Sequence, residues 1–177
     1  LPPGGAATAA AGWADHVNSE PLTAASRLAW GSNTKIFTAA AVLRAAEEGR
    51  LRLDDPVAQY VDPLLAACDP PLAAGSTLRE LFGATHGVVT VRQLLGMRSG
   101  ILDYESDGQG ACGSSSHDLW WAAPHREWTP IEQLQWVSVQ HGCVPTFTPD
   151  ADCSYSSTNY LLLGLVLQQA YGLSCWQ

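Results

Sequence analysis

The segment Ser157–Tyr171 constrains this chain more than any other. It reads Ser-Thr-Asn-Tyr-Leu-Leu-Leu-Gly-Leu-Val-Leu-Gln-Gln-Ala-Tyr and is followed by Gly172, a helix stop. Apolar residues surround the helix that this length implies, so the rest of the chain has to bury it. Its continuous apolar run, Tyr160 to Leu167, is far below the roughly 20 residues a bilayer requires, so no membrane span is expected. With 177 residues, 46% hydrophobic and 15% charged, the chain has the material for one globular domain with a sizeable core.

Other segments carry their own signals. Residues 33–48 are Ala-rich and predict a helix in which Ile36, Phe37, Ala40, Leu43 and Ala45 form a broad apolar surface. Ser32 or Asn33 can cap its start, and Gly49 stands where a C′ residue belongs. Asp54-Asp55-Pro56 opens a turn or short helix through Tyr60, with the paired aspartates read as turn or cap residues. Thr90–Met97 predicts a short helix capped by Thr90 and ended near Ser99-Gly100. Residues 103–128 are polar, Gly- and Ser-rich, and predict a surface loop. Thr129–Val139 predicts a helix with Pro130 in its first position and Glu132 after the cap. Residues 146–154 are turn-rich. Between Gly12 and Trp30, two extended stretches flank a polar turn at Asn18-Ser19-Glu20-Pro21, a hairpin-like pattern. Residues 1–11, mostly Ala, Gly and Pro, read as an arm, which leaves 12–177 as the domain.

The net charge of −8 excludes some partners. A nucleic-acid binder needs clustered Lys and Arg to displace counterions, and here nine basic residues are scattered. Anionic membrane surfaces are disfavoured for the same reason. The chain starts Leu1-Pro2-Pro3-Gly4, with no basic n-region or apolar h-region, so no signal peptide is visible. Cys68, Cys112, Cys143, Cys153 and Cys175 include no C-x-x-C pair. His86, His117, His125 and His141 have no metal-like spacing, so neither a metal nor a cofactor is expected. Cys112, Cys143 and Cys153 fall in a loop-rich region. That leans toward disulfides and an oxidising or secreted setting, while small buried thiols fit as well. The compartment stays open.

The chemistry concentrates in Gly31-Ser32-Asn33-Thr34-Lys35, an S-x-x-K at the mouth of the 33–48 helix. Residues three apart on a helix share a face, which puts Lys35 within reach of the Ser32 hydroxyl. Serine is a poor nucleophile until a neighbour takes its proton, and an amine can do this when it spends part of its time neutral. The helix N-terminus favours developing negative charge, and the Ser32 backbone N–H can serve as an oxyanion donor. Eight of the nine basic residues are Arg, and Lys35 is the single lysine. Arginine cannot act as a base, so the one adjustable amine stands where such a group is needed.

Four segments in order extend the pattern: Gly12-Trp13-Ala14-Asp15 through Ser32-Asn33-Thr34-Lys35; Glu48-Gly49-Arg50-Leu51-Arg52-Leu53-Asp54-Asp55-Pro56-Val57; Val89–Ile101, similar to T-x-R-x-L-L-x-x-x-S-G; and Tyr155–Gly164, similar to Y-x-N-x-x-Y-x-x-L-G. Together they resemble the class C β-lactamases and the related DD-peptidases, penicillin-binding proteins and esterases. The resemblance implies an α+β, β-lactamase/transpeptidase-like fold, here an N-terminal portion dominated by helices. It implies an acyl-enzyme on Ser32, with Lys35 as proton acceptor and Tyr155 as the phenol that shuttles the proton to the leaving group. A phenol with a pKa of about 10 does such work only if a nearby ammonium favours its anion. Ser157 occupies the substrate-binding position where the family has Asn; its hydroxyl is shorter and has one donor, which tells against β-lactam turnover. Asn159 lies on another helix face and is no substitute.

The family's third motif, K-T-G or H-x-G on a strand, is absent, because His86-Gly87 and His141-Gly142 both precede Tyr155. The chain therefore reads as the front part of such a domain, with exposed apolar surface that favours self-association. Three readings follow: a serine hydrolase acting on an amide, ester or β-lactam carbonyl of a small molecule or peptide; a non-catalytic binding or scaffold domain; and an inactive truncated fragment. Trp120-Trp121 and Trp128 are candidates to touch substrate.

Overall fold

The computed structural model describes residues 7–69, 71–105, 120–141 and 146–174. Its contacts divide the chain into two compact units, Leu1–Thr34 and Lys35–Gln177. Cys112, Cys143, Cys175 and His117 lie outside the described residues, as does most of the loop expected over 103–128.

In the first unit, strand β1 (Trp13–Asp15) pairs antiparallel with β2 (Glu20–Pro21), so a hairpin forms but its second strand falls on residues expected in the turn, and residues 27–30 form no strand. Asp15 builds the turn between them. Its carboxylate accepts the Val17 N–H at 2.8 Å, the Asn18 N–H at 3.0 Å and the Asn18 side-chain amide at 2.6 Å. A short acidic side chain that satisfies the following backbone is what makes Asp a turn residue. The unit ends on a 3-10 turn, Gly31–Asn33, which runs into the first helix.

The second unit opens with α1, Thr34–Glu47. It closes on Gly49 at φ 71°, with the Gly49 N–H on Ala46 O at 3.0 Å and the Arg50 N–H on Ala45 O at 2.9 Å. This paired arrangement satisfies the terminal carbonyls and requires a left-handed residue, which glycine supplies without steric cost. The face α1 buries matches the expected one only at Ala45. Val42 and Ala45 are fully buried, whereas Ile36, Phe37 and Leu43 remain exposed. A helix apolar over such a broad arc gives no sequence signal for the side that faces the core.

Residues 53–57 run beside 89–92. The Val57 N–H bonds Val89 O at 2.9 Å, and the Arg92 N–H bonds Leu53 O at 2.8 Å. The turn expected to end at Tyr60 continues as helix α2 (Ala58–Ala66), with Pro63 inside it. Burial of Val61 and Leu65 outweighs the lost backbone bond. Helix α3 (Leu78–His86), broken at Gly83, was not legible in the sequence. Its start rests on Thr77, which accepts the Glu80 N–H, and on the distant Asp62, which accepts the Leu78 N–H at 2.8 Å. Helix α4 (Val91–Leu95) carries the full capping box between Thr90 and Gln93. Helix α5 (Pro130–His141) is capped reciprocally by Thr129 and Glu132 and extends two residues beyond the expected end.

The apolar segment forms helix α6 (Ser157–Ala170), and it is the centre of the unit. Leu162, Leu163 and Val166 are fully buried, and α2, α4 and α5 pack against it. Its first turn is polar yet also buried, because residues 97–105 are stitched along it. Ser99 donates to Asn159 Oδ1 at 2.6 Å, Thr158 donates to Leu102 O at 2.7 Å, and the Tyr104 N–H reaches Thr158 Oγ1 at 3.0 Å. Residues 103–105, expected in a surface loop, are thus partly buried and fixed to α6. Gly100 permits this path. It sits at φ 72°, and a Cβ there would lie 2.0 Å from Phe147 O.

Beneath this stretch, His86 Nε2 meets Phe147 O at 2.9 Å, His141 Nε2 meets His86 Nδ1 at 3.2 Å, and the Leu102 N–H reaches His141 Nδ1 at 3.4 Å. A carbonyl only accepts, so His86 carries its proton on Nε2. The remaining assignments follow: His141 donates from Nε2 and accepts on Nδ1. The chain is fully satisfied only when both rings are neutral. Cys68 and Cys153 are free thiols.

Candidate active site

The site in the second unit gathers on the N-terminal turn of α6. Ser157 is its first residue and is buried, at 3% exposure. Its N–H, unpaired within the helix, donates to Asp103 Oδ1 at 2.9 Å, so a carboxylate from a distant segment caps the helix and complements its positive end. The same oxygen accepts the Glu105 N–H at 3.1 Å. The Ser157 hydroxyl then donates to Glu105 Oε2 at 2.9 Å and accepts from Lys35 Nζ at 3.0 Å. Lys35 also lies over two aromatic rings, 4.9 Å from the Tyr155 centroid and 5.9 Å from that of Tyr160. Both distances lie within the range of cation–π attraction.

Two carboxylates thus face one ammonium. Burial raises the Asp103 carboxyl above its usual range, and the neighbouring Glu105 charge adds to this. The backbone N–H donors of Glu105 and Ser157 and the charge of Lys35 act in the opposite direction. The Tyr104 phenol is pushed well above its ordinary value, first by burial and then by the charges of Glu105 and Asp103. Burial also raises Tyr160, against the pull of Lys35. Tyr155 itself is half exposed and borders a cavity of about 420 Å³ that Gly100, Leu102, Asp103, Phe147 and Asp152 help to line. Trp120 packs edge-on against Tyr104 at 6.0 Å, while Trp128 lies beneath Arg126 at 4.0 Å.

Of the residues singled out from the sequence, Lys35, Tyr155 and Ser157 come together here. Ser32 lies in the 3-10 turn of the first unit and is exposed. Asn159 is buried and its amide is bonded to Ser99 and Met97. Sequence reasoning missed Glu105 altogether and placed Asp103 only at the start of a surface loop. Neither has a periodic or motif signal; both matter because the chain path returns to α6. Among the described residues no group of three His, Cys, Asp or Glu side chains is arranged to hold a metal ion. No helix among them is long and apolar enough to cross a membrane.

The family that the sequence resembles is also the one that comparison with known proteins returns. The Beta-lactamase family model matches residues 4–175, and the chain belongs to that family, whose members are generally serine hydrolases. A D-stereospecific amidohydrolase from Streptomyces sp. is 34% identical with a TM-score of 0.56, over 80% of this chain and 36% of that one. The octameric penicillin-binding protein homologue from Pyrococcus abyssi is 29% identical with a TM-score of 0.60, over 92% of this chain and 32% of that one. Protein flp of Staphylococcus aureus (strain NCTC 8325 / PS 47) is 29% identical over 137 residues, which is 77% of this chain and 22% of flp. The chain therefore spans between about a fifth and about a third of the length of these relatives. The fold is that of β-lactamase and transpeptidase-like domains, represented here by a mostly helical part with one short two-stranded sheet among the described residues.

Proposed function

We propose that this chain supplies the nucleophile, base and phenol of a serine hydrolase that works through an acyl-enzyme. Ser32 attacks an amide or ester carbonyl while Lys35 takes its proton. The Ser32 backbone N–H, at the entrance of α1, stabilises the oxyanion, and Tyr155 delivers the proton to the leaving group. Water then releases the acyl group. The observation that carries this reading is the placement of Lys35 Nζ, 3.0 Å from Ser157 Oγ and 4.9 Å from the Tyr155 ring centroid. A scaffold has no need to hold its single lysine against a tyrosine and a buried hydroxyl. The likeness to a D-stereospecific amidohydrolase makes amides of D configuration the first substrates to try. The exposed Ile36 and Phe37 on α1 support association with further polypeptide, a second copy included.

The test is a fluorophosphonate probe followed by peptide mass spectrometry. An adduct on Ser32 is expected, lost in Ser32→Ala and slowed at least a hundredfold in Lys35→Ala. An adduct elsewhere, or none on Ser32, removes the hydrolase reading.

A further inference from the structure

Ser157 poses a problem that its hydrogen bonds answer. A serine hydroxyl has one proton and can turn it toward any acceptor. Beside a lysine that acts as a base this freedom is harmful. Once the amine is neutral it exposes a lone pair, and a free hydroxyl would donate to it and occupy the position meant for the nucleophile's proton. An asparagine, which the resembling family carries here, avoids this by presenting an amide oxygen that only accepts.

In this chain the hydroxyl proton is already committed. Glu105 Oε2 lies 2.9 Å from Ser157 Oγ, and a carboxylate accepts only, so the proton points at Glu105 and the lone pairs point at Lys35 Nζ, 3.0 Å away. Asp103 holds both partners in register, since one of its oxygens accepts the N–H of Ser157 at 2.9 Å and that of Glu105 at 3.1 Å. We infer that Glu105 is a positioning residue: by fixing the direction of the Ser157 hydroxyl it stops that proton from competing with the Ser32 proton for Lys35. This rests on the hydrolase reading above. With its proton on Glu105, Ser157 accepts from Lys35 and does not donate to it. The serine at 157 and the carboxylate at 105 therefore form one device, and the serine is tolerable because the carboxylate is there.

The experiment is a mutant cycle on the full chain, read two ways. The first readout is the rate of phosphonate adduct formation on Ser32. Glu105→Gln, whose amide can donate as well as accept, is expected to slow it at least tenfold. Ser157→Ala removes the competing hydroxyl itself, so adding Glu105→Gln to Ser157→Ala should change nothing further. Adding Glu105→Gln to Ser157→Asn should also be silent, because the asparagine amide supplies its own acceptor; that double variant shows whether the folded site accommodates the Glu105→Gln side chain. An undiminished rate in Glu105→Gln, or an equal loss in the Ser157→Ala background, overturns the lock and leaves the hydrolase reading standing. The second readout needs no chemistry at Ser32. Lys35 is the chain's single lysine, so ε-15N-lysine labelling gives one side-chain signal. Its Nζ–H protons should exchange with water several-fold faster in Glu105→Gln and in Ser157→Ala than in the wild type. Unchanged exchange in Glu105→Gln overturns the lock even if Ser32 proves unreactive, an outcome that would by itself remove only the hydrolase reading.

Discussion

Acid should weaken this protein through one buried ring. His141 is 8% exposed and accepts the Leu102 N–H on Nδ1 while facing His86 through Nε2. Burial, reinforced by the neighbouring His86, lowers its pKa from the ordinary 6.5 to about 4. Above pH 6.5 neither the folded nor the unfolded chain binds a proton there, and the full stability is present. Between 6.5 and 4 the unfolded chain binds a proton that the folded one refuses, so stability falls as pH falls. Below 4 both are protonated and the loss is complete. At about 1.4 kcal/mol per pKa unit the total is about 3 kcal/mol. His141→Gln keeps a donor and an acceptor without the titrating charge. Urea unfolding of both proteins at pH 7, 6, 5 and 4 isolates the effect as the difference between them, which should shift by about 3 kcal/mol against the wild type over that range. A difference that stays flat with pH would refute the neutral histidine chain.

Two further outcomes test the packing around α6. Gly100→Ala would set a Cβ 2.0 Å from Phe147 O at a φ of 72°, and should cost at least about 2 kcal/mol in urea unfolding at pH 7; an unchanged midpoint would mean that residues 100 and 147 do not approach each other. Leu162→Ala, at a fully buried position on α6, should cost about 2–5 kcal/mol, whereas Leu43→Ala, at 47% exposure on α1, should cost under about 1 kcal/mol; equal losses would refute the assigned core.

The capped helices were legible because their signals are local. Thr90 with Gln93 and Thr129 with Glu132 satisfy one another within three residues, and Gly49 closes α1 next to where its pattern ends. Helix α3 was missed although Thr77 and Glu80 offer the same kind of local cap, because its pattern is broken at Gly83 and its start is completed by Asp62, 16 residues upstream. The same division runs through the site. Ser32 and Lys35 stand three apart at a helix entrance, and Tyr155 and Ser157 open a helix apolar enough to be recognised as central. The grouping of Lys35, Tyr155 and Ser157 followed from resemblance to a known family. Glu105 and Asp103 meet Ser157 across 52 and 54 residues, and His86 meets His141 across 55.

By itself, then, the sequence determined where the helices capped by Thr90 and Thr129 begin and where α1 ends, which helix must be central, and that one amine stands three residues from one serine. Those features depend on hydrogen bonds and side-chain periodicities only a few residues long. The tertiary structure alone decided which face of α1 turns inward, and that two carboxylates close on Ser157. Such contacts depend on the path by which distant segments return to α6, and no local spacing along the chain encodes that path.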